Sequence, residues 1–325
     1  IMANIPVIMR VLAASVRIAD KSALLVREIM SSRDLGIVDK VCGGQKNLQT
    51  KADTAVEKLI RASLLAEFPQ LNVIGEEDEK LDLTADAKAG SDDQVLRMAC
   101  PPACANLSQE EIVVWVDPLD GTADNFPLYS PPPNLPPFIS GLLDHVTILI
   151  GLAVNGEAVG GVINQPFYNY QSGPQANLGR TIWGLVGLGA FGWNRAEPPV
   201  GRRILITTRS HSNELVNLCL DSIYSPDLCP TPTKKTMTGT KGLALRVIEG
   251  EADAYVFASP GCKKWDTCAP EAILRAVGGN LTDVHGKKIN YHKDVKFPNT
   301  GGVIATYRDH QTIIDLVPQK VRDNL

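Results

Sequence analysis

Two aspartates stand directly after an apolar run in the stretch V-V-W-V-D-P-L-D-G-T, residues 113–122. The apolar residues from Ile112 to Val116 are enough for one buried strand. Pro118 cannot donate to a sheet ladder, so we expect the strand to end before it. The sequence therefore predicts that Asp117 and Asp120 lie together at the carboxyl end of a buried strand.

Two carboxylates in such a place repel each other and lose water, and a cation between them relieves both costs. Ligands that are all oxygen suit Mg²⁺ rather than zinc. If a helix begins near Thr122, its N–H groups also bind an anion there. Carboxylates, metal and helix start together describe a site for a phosphate ester. The alternative, that Asp-Pro and Asp-Gly form ordinary turns, stays open on this stretch alone.

Two further acids belong to elements that precede this strand. Helical spacing from Thr50 to Phe68 predicts a helix, and Asp53 lies in its first turn, where it also complements the helix dipole. A short strand over Asn72 to Gly75 leads to Glu76, the first of four adjacent acids that alternatively form a solvated loop.

Another acid begins a helix late in the chain. The sequence W-D-T-C-A-P-E-A-I-L-R-A-V-G-G, which starts at Trp265, predicts a helix over 266–277 with Asp266 as its N-cap. A capping carboxylate has a second oxygen that remains able to bind a metal.

Composition excludes several classes of function. The chain has 325 residues, 44% of them hydrophobic, and a net charge of −4, which provides no basic surface for a nucleic-acid polymer or an anionic membrane. No apolar run approaches the length of a membrane span. The seven cysteines form no C-x-x-C pair, which favours free thiols and a cytoplasmic location over zinc or a disulfide framework.

The length and the order of elements predict two domains. Prolines in residues 196–202 indicate a linker between an α+β domain, residues 1–199, and an α/β domain, residues 200–325. Six prolines within 127–137 favour a mobile loop without ladder bonds. A lid over the site, or a docking segment for an SH3-type protein partner, are the alternatives.

Three motifs in order resemble the inositol monophosphatase superfamily of Mg²⁺-dependent, lithium-sensitive phosphatases. They are G-E-E from Gly75, D-P-L-D-G-T from Asp117 and the W-D-T-C-A-P-E stretch from Trp265. The segments T-T-R-S-H-S-N from Thr207, V-F-A-S-P-G-C-K-K-W-D from Val256 and Y-H-K-D-V-K from Tyr291 resemble the branch of that family that acts on 3′(2′),5′-bisphosphate nucleotides. The resemblance implies a layered αβαβα sandwich.

The resemblance also implies roles for residues of this chain. Glu76, Asp117 and the carbonyl of Leu119 would hold one Mg²⁺, and Asp117, Asp120 and Asp266 a second. Asp53 and Glu76 would assist a third ion or its waters, and Asp53 with Thr122 would orient the attacking water. The residues implied to contact substrate are Gly121, Thr122, Ser210, His211, Lys241 and Asp266.

The implied reaction removes the 3′- or 2′-phosphate from adenosine 3′,5′-bisphosphate, with its 5′-phosphosulfate analogue and inositol 1,4-bisphosphate as further substrates, and with inhibition by Li⁺. The sequence departs from the family in the proline-rich stretch and near Lys241, which lies two positions early, so Arg246 is an alternative for the second phosphate. Two other interpretations remain: an inositol polyphosphate 1-phosphatase, and an inactive relative that binds proteins through the proline-rich loop.

Overall fold

The computed structural model describes residues 5–32, 38–42, 45–77, 90–121, 143–173, 175–196, 204–208, 213–223, 233–234 and 243–325. Several sequence predictions lie outside these residues: most of the linker, the proline-rich loop, and the site residues Thr122, Ser210, His211 and Lys241. In the described part, no helix is both long enough and apolar enough to cross a membrane.

Two long helices open the chain. Helix α1 spans Val7–Ser31, where apolar residues at helical spacing without Gly or Pro favour an amphipathic helix. Helix α2 spans Lys51–Glu67 after the hairpin of β1 (Val38–Cys42) and β2 (Gln45–Gln49). Thr50 caps α2, one residue before the helix begins, and Asp53 lies in its first turn as predicted. A short helix α3, Asp93–Leu96, follows.

The first large sheet has six strands in the order β3-β4-β5-β6-β7-β8. β3 is parallel to β4, and the remaining neighbours are antiparallel. Asn155 and Gly156 both have positive φ and make the turn between β5 and β6, as Asn-Gly pairs commonly do in hairpins. The strands are β3 Asn72–Gly75, β4 Ile112–Asp120, β5 Thr147–Val154, β6 Glu157–Gln165, β7 Arg180–Leu185 and β8 Gly189–Phe191.

The second half of the chain forms a five-stranded mixed sheet in the order β10-β9-β11-β13-β12. Its strands are β9 Ile204–Ile206, β10 Thr233–Lys234, β11 Ala254–Phe257, β12 Asn280–Thr282 and β13 Val303–Thr306. Its helices are α4 Glu214–Ile223, α5 Leu243–Ile248, α6 Lys264–Ala276, α7 His310–Asp315 and α8 Gln319–Arg322.

Alternation along the strands produces five layers. On β4, Val114 packs with α1 and α2, whereas Trp115 packs with α5 and α6. On β11, Tyr255 joins the same central cluster, whereas Val256 packs with α4, α7 and α8. The helix and sheet layers therefore follow the order αβαβα, which confirms the predicted sandwich.

Helix α6 lies unusually close to the six-stranded sheet because glycines face it. A Cβ on Gly151 would lie 2.6 Å from Cys268 Sγ, and a Cβ on Gly161 would lie 2.4 Å from the Ala269 carbonyl oxygen. The central cluster thus joins the two halves of the chain, and the predicted division near residue 199 stays a prediction.

Candidate active site

Strand β4 continues past the point where the sequence predicts its end. It runs to Asp120, and its pairing with β5 shifts register between Asp117 and Asp120. Pro118 lies in this irregular part, where a missing N–H costs no ladder bond. The prediction that the strand ends before Pro118 is wrong, because the bulge accommodates the proline. Both aspartates consequently stand on the strand itself.

The parallel pairing of β3 with β4 brings Glu76 to the same sheet edge. Gly75 pairs with Val116, so Glu76 follows at the level of Asp117. Asp117 is fully buried and Asp120 is 3% exposed, and the Oδ2 atoms of both are hidden from solvent. The Leu119 N–H donates to Asp117 Oδ1 at 3.1 Å, which fixes the carboxylate against its own turn.

Asp53 stands in the first turn of α2, buried at 4% exposure, and completes a capping box with Thr50. Its Oδ2 accepts the Thr50 N–H at 2.8 Å and also the Thr50 hydroxyl. The helix-start role foreseen for Asp53 is therefore present. Its predicted pairing with Thr122 involves a residue outside the described ones and stays a prediction.

The prediction that Asp266 is the N-cap of its helix is wrong, although its carboxylate does take part in capping. Helix α6 starts two residues earlier, at Lys264, with Lys263 as the N-cap, and Asp266 in the first turn accepts the Lys263 N–H at 2.6 Å. The helix starts earlier because a carboxylate at the third helical position reaches back to the N-cap amide as well as an N-cap side chain reaches forward. Asp266 is 3% exposed.

Lys263 connects this helix start to the edge of the other sheet. Its Nζ lies 3.7 Å from Glu76 Oε1 and over the ring of Trp265, 5.5 Å from the centroid. Trp265 in turn packs against Trp115, with ring centroids 6.4 Å apart, and against Phe297 at 5.2 Å. This aromatic cluster packs the first turn of α6 against β4.

The donor set suits Mg²⁺. β3 places Glu76 beside β4, the start of α6 reaches Glu76 through Lys263, and α2 packs on β4, so the carboxylates stand on neighbouring elements and all offer oxygen ligands. Within the described residues, however, no three His, Cys, Asp or Glu side chains are grouped as a ready-made metal site. Asp53 and Asp266 use an oxygen in helix capping, and Glu76 lies beside Lys263. A metal at Glu76 would therefore compete with Lys263 for this carboxylate.

Besides Asp266, the predicted substrate contact Gly121 and the alternative Arg246 fall on described residues. Gly121 follows Asp120 directly and has φ 97°, a backbone conformation that glycine adopts without steric cost. Arg246 forms an ion pair with Glu251 and lies 2.9 Å from His145 Nε2. Burial and the neighbouring guanidinium lower the pKa of His145, so its neutral ring accepts this hydrogen bond. Arg246 thus has partners of its own within the protein.

Sequence reasoning missed two charged residues beside the site, Glu57 and Lys263. Glu57 lies one turn beyond Asp53 and its Oε2 accepts the Glu77 N–H at 2.7 Å. The four-residue spacing from Asp53 was the available signal for Glu57, since it places both carboxylates on one face of α2. For Lys263, the adjoining Trp265-Asp266 motif was the only sign.

The family model described as the Inositol monophosphatase family matches residues 8–322 of this chain. The chain belongs to this family. The carboxylates Glu76, Asp117, Asp120 and Asp266 belong to the three motifs by which the sequence resembles this family, and that resemblance is confirmed.

Relatives in the inositol monophosphatase family cover almost the whole chain. A human protein named 3′(2′),5′-bisphosphate nucleotidase 1 is 47% identical over 98% of this chain and 97% of its own length. A Dictyostelium discoideum protein of the same name is 34% identical over 95% of this chain and 96% of its own.

Solved structures show the same fold at low identity. The extragenic suppressor protein suhB from Bartonella henselae has a TM-score of 0.62 at 19% identity, and covers 96% of this chain and 98% of its own. An IMPase/NADP phosphatase, in complex with Mg²⁺ and phosphate, has a TM-score of 0.59 at 16% identity and 92% coverage of both chains.

Proposed function

We propose that this chain is a Mg²⁺-dependent phosphomonoesterase that removes the 3′- or 2′-phosphate from adenosine 3′,5′-bisphosphate, giving AMP and inorganic phosphate. The observation that carries the proposal is the 47% identity with the human nucleotidase over 98% of the chain. The carboxylates at the end of β4 support it, because they supply the oxygen ligands that the chemistry needs.

The residues that would hold the ions are those at the sheet edge. Glu76, Asp117 and the Leu119 carbonyl would hold one Mg²⁺, Asp117, Asp120 and Asp266 a second, and Asp53 with Glu76 a third ion or its waters. When bound, Mg²⁺ lowers the pKa of coordinated water and neutralises charge on the phosphate and the leaving oxygen.

The chain's own groups would orient the reaction. Asp53, whose position is set by its capping box, would take the proton of the attacking water together with the Thr122 hydroxyl. The amides of Gly121 and Thr122 would donate to the phosphate oxygens. Water would attack phosphorus on the side opposite the ribose oxygen. The bond from phosphorus to the ribose oxygen would break as the new P–O bond forms, and the ribose oxygen would take up a proton from solvent.

The second phosphate and the base would contact residues of the second half of the chain. Ser210 and His211 would face the nucleotide, and Lys241 would pair with the 5′-phosphate. The Arg246 alternative requires the guanidinium to exchange Glu251 for a phosphate, which costs an existing ion pair. We therefore favour Lys241.

Phosphate release tests the proposal. Purified protein with Mg²⁺ is assayed on adenosine 3′,5′-bisphosphate, its 5′-phosphosulfate analogue and inositol 1,4-bisphosphate. We expect the highest kcat/KM on a nucleotide. A preference for the inositol bisphosphate would favour the inositol polyphosphate 1-phosphatase alternative, and no release from any of them would favour the non-enzymatic protein-binding alternative.

Inhibition by Li⁺ belongs to the same proposal. Li⁺ is close to Mg²⁺ in size but carries half its charge, so it would occupy the ion position at Asp120 and Asp266 without supporting turnover. Millimolar LiCl should reduce turnover, whereas equal NaCl or KCl should not. Equal effects of all three salts would contradict this occupancy.

A further inference from the structure

Glu57 is a buried carboxylate outside the proposed metal and substrate ligands, and its contacts converge on the end of β3. It is 2% exposed, and its Oε1 lies 3.2 Å from Arg61 NH1, which compensates its charge. Its Oε2 accepts the Glu77 N–H at 2.7 Å. Glu77 is itself buried at 5% exposure, so this hydrogen bond is shielded from water.

The N–H group that donates to Glu57 belongs to Glu77, the residue directly after Glu76. Fixing the Glu77 N–H fixes the peptide plane between Glu76 and Glu77, and hence the backbone dihedral that aims the Glu76 side chain. The Glu76 side chain is 18% exposed and lies at the edge beside Lys263. Glu57 therefore acts on Glu76 through the backbone rather than by contact with its carboxylate.

Gly75 completes this arrangement from the other side. A Cβ at Gly75 would lie 2.3 Å from the Cδ of Glu57 and 2.3 Å from its Oε1. The backbone of β3 can approach the Glu57 carboxylate this closely because residue 75 has no side chain. This is a physical reason for the glycine in the G-E-E motif: space for the carboxylate, with no positive φ required.

We propose that Glu57 is a positioning residue, which clamps the end of β3 so that Glu76 is held ready to bind Mg²⁺. Asp53 and Glu57 are four residues apart on α2, so one helix face carries both a proposed water-orienting carboxylate and the clamp for a metal ligand. The inference rests on the proposed function, because it assigns Glu76 to Mg²⁺.

The test measures Mg²⁺ binding directly by titration calorimetry, at a temperature where each variant is folded by circular dichroism. Glu57→Ala removes the acceptor, and Gly75→Ala pushes the carboxylate away. Both should raise the Kd for Mg²⁺ by about 10-fold or more, the scale seen when an outer partner of a metal ligand is lost. Glu57→Gln retains a neutral acceptor and should stay within about threefold of wild type.

Gly160→Ala is the matched control. Gly160 lies on β6, and a Cβ there would lie 3.1 Å from Cδ1 of the flexible Leu152 side chain. This substitution should leave the Kd for Mg²⁺ unchanged. A purely structural role of Glu57 would lower Tm without changing Mg²⁺ affinity, so a wild-type Kd in Gly75→Ala or in folded Glu57→Ala overturns the proposal.

If Glu57→Ala does not fold, the Kd for Mg²⁺ of Gly75→Ala is compared with those of Glu57→Gln and Gly160→Ala, and this comparison tests the proposal. Phosphate release by the wild type is measured in parallel. Absence of release together with Glu57-dependent Mg²⁺ binding would overturn the proposed function while supporting the clamp. Normal phosphate release with unaltered Mg²⁺ binding in the variants would support the proposed function and overturn the clamp.

Discussion

The aspartate of the Trp265-Asp266 motif has two separable duties. Its carboxylate caps α6 by accepting the Lys263 N–H, and its charge is proposed to bind the second Mg²⁺. These duties depend on different properties, since a cap needs an acceptor oxygen whereas a metal ligand needs a negative charge. Replacing it with alanine alone would confuse the two.

Asp266→Asn separates them. The amide oxygen still accepts the backbone N–H, so Tm should remain near wild type. Turnover should fall by more than about 100-fold, because losing a metal ligand reduces activity more than losing the outer partner of a ligand does. Asp266→Ala should lose the same activity and in addition about 1 kcal/mol of stability. Kinetics and thermal unfolding measure both. An active Asp266→Asn variant would remove this residue from the metal site.

At the level of elements, the position of α6 depends on two glycines of the sheet beneath it. The helix backbone reaches Gly151 and Gly161 so closely that a methyl group at either would meet Cys268 or Ala269. Because Asp266 lies in the first turn of this helix, the spacing between helix and sheet also sets the distance from Asp266 to β4.

Gly151→Ala should therefore affect stability and activity together. Its Cβ would lie 2.7 Å from the Ala269 backbone nitrogen, and overpacking of this kind costs about 1–3 kcal/mol. We expect a lower Tm and a higher Mg²⁺ requirement for turnover. Gly160→Ala, on the same sheet, is the control. Unchanged unfolding of Gly151→Ala would show that α6 is free to move away from the sheet.

At the level of the whole molecule, the buried carboxylates at the end of β4 couple metal binding to folding. A ligand that binds only the folded state stabilises it by about 2.7 kcal/mol at 100 times its Kd. Thermal unfolding with increasing MgCl₂ should show a rising Tm for the wild type. Asp120→Asn should lose most of this rise, and a full rise in that variant would place the ion elsewhere.

The contact between the two halves also contains a titrating group. Glu271 on α6 is 2% exposed, accepts the Tyr291 hydroxyl at 2.7 Å and lies 3.8 Å from Arg275. Burial raises its pKa to about 7, although the Tyr291 hydrogen bond and Arg275 act in the opposite direction. Arg275 is shared with Glu157, which also pairs with Lys288.

This raised pKa has a definite sign in the pH dependence of stability. The folded-state value exceeds the ordinary 4.5, so the contribution of Glu271 is complete below about pH 4.5 and is lost as pH rises through about 7. Glu271→Gln should remove this loss, which is on the order of 3 kcal/mol. Urea unfolding from pH 4.5 to 8 measures it. Parallel curves for variant and wild type would contradict the assignment.

The sequence by itself determined the elements and the kind of site. Helix α1, strand β3 and the Asn155-Gly156 turn follow from local periodicity and turn chemistry, which act over a few residues. The motifs around Glu76, Asp117 and Asp266 identified the family, because motif residues and their order are written in the chain.

Tertiary structure alone decided what depends on contacts between distant segments. The bulge that carries β4 past Pro118 needs β5 as a partner, and the closeness of α6 to the sheet appears only when Gly151 faces Cys268. Likewise, the sequence shows Glu57 only as an acidic residue of a helix, and its contact with the end of β3 is visible only in the folded chain. Local patterns encode which side chains exist and which way they face, but the hydrogen bond from Glu77 requires residues twenty positions apart to meet.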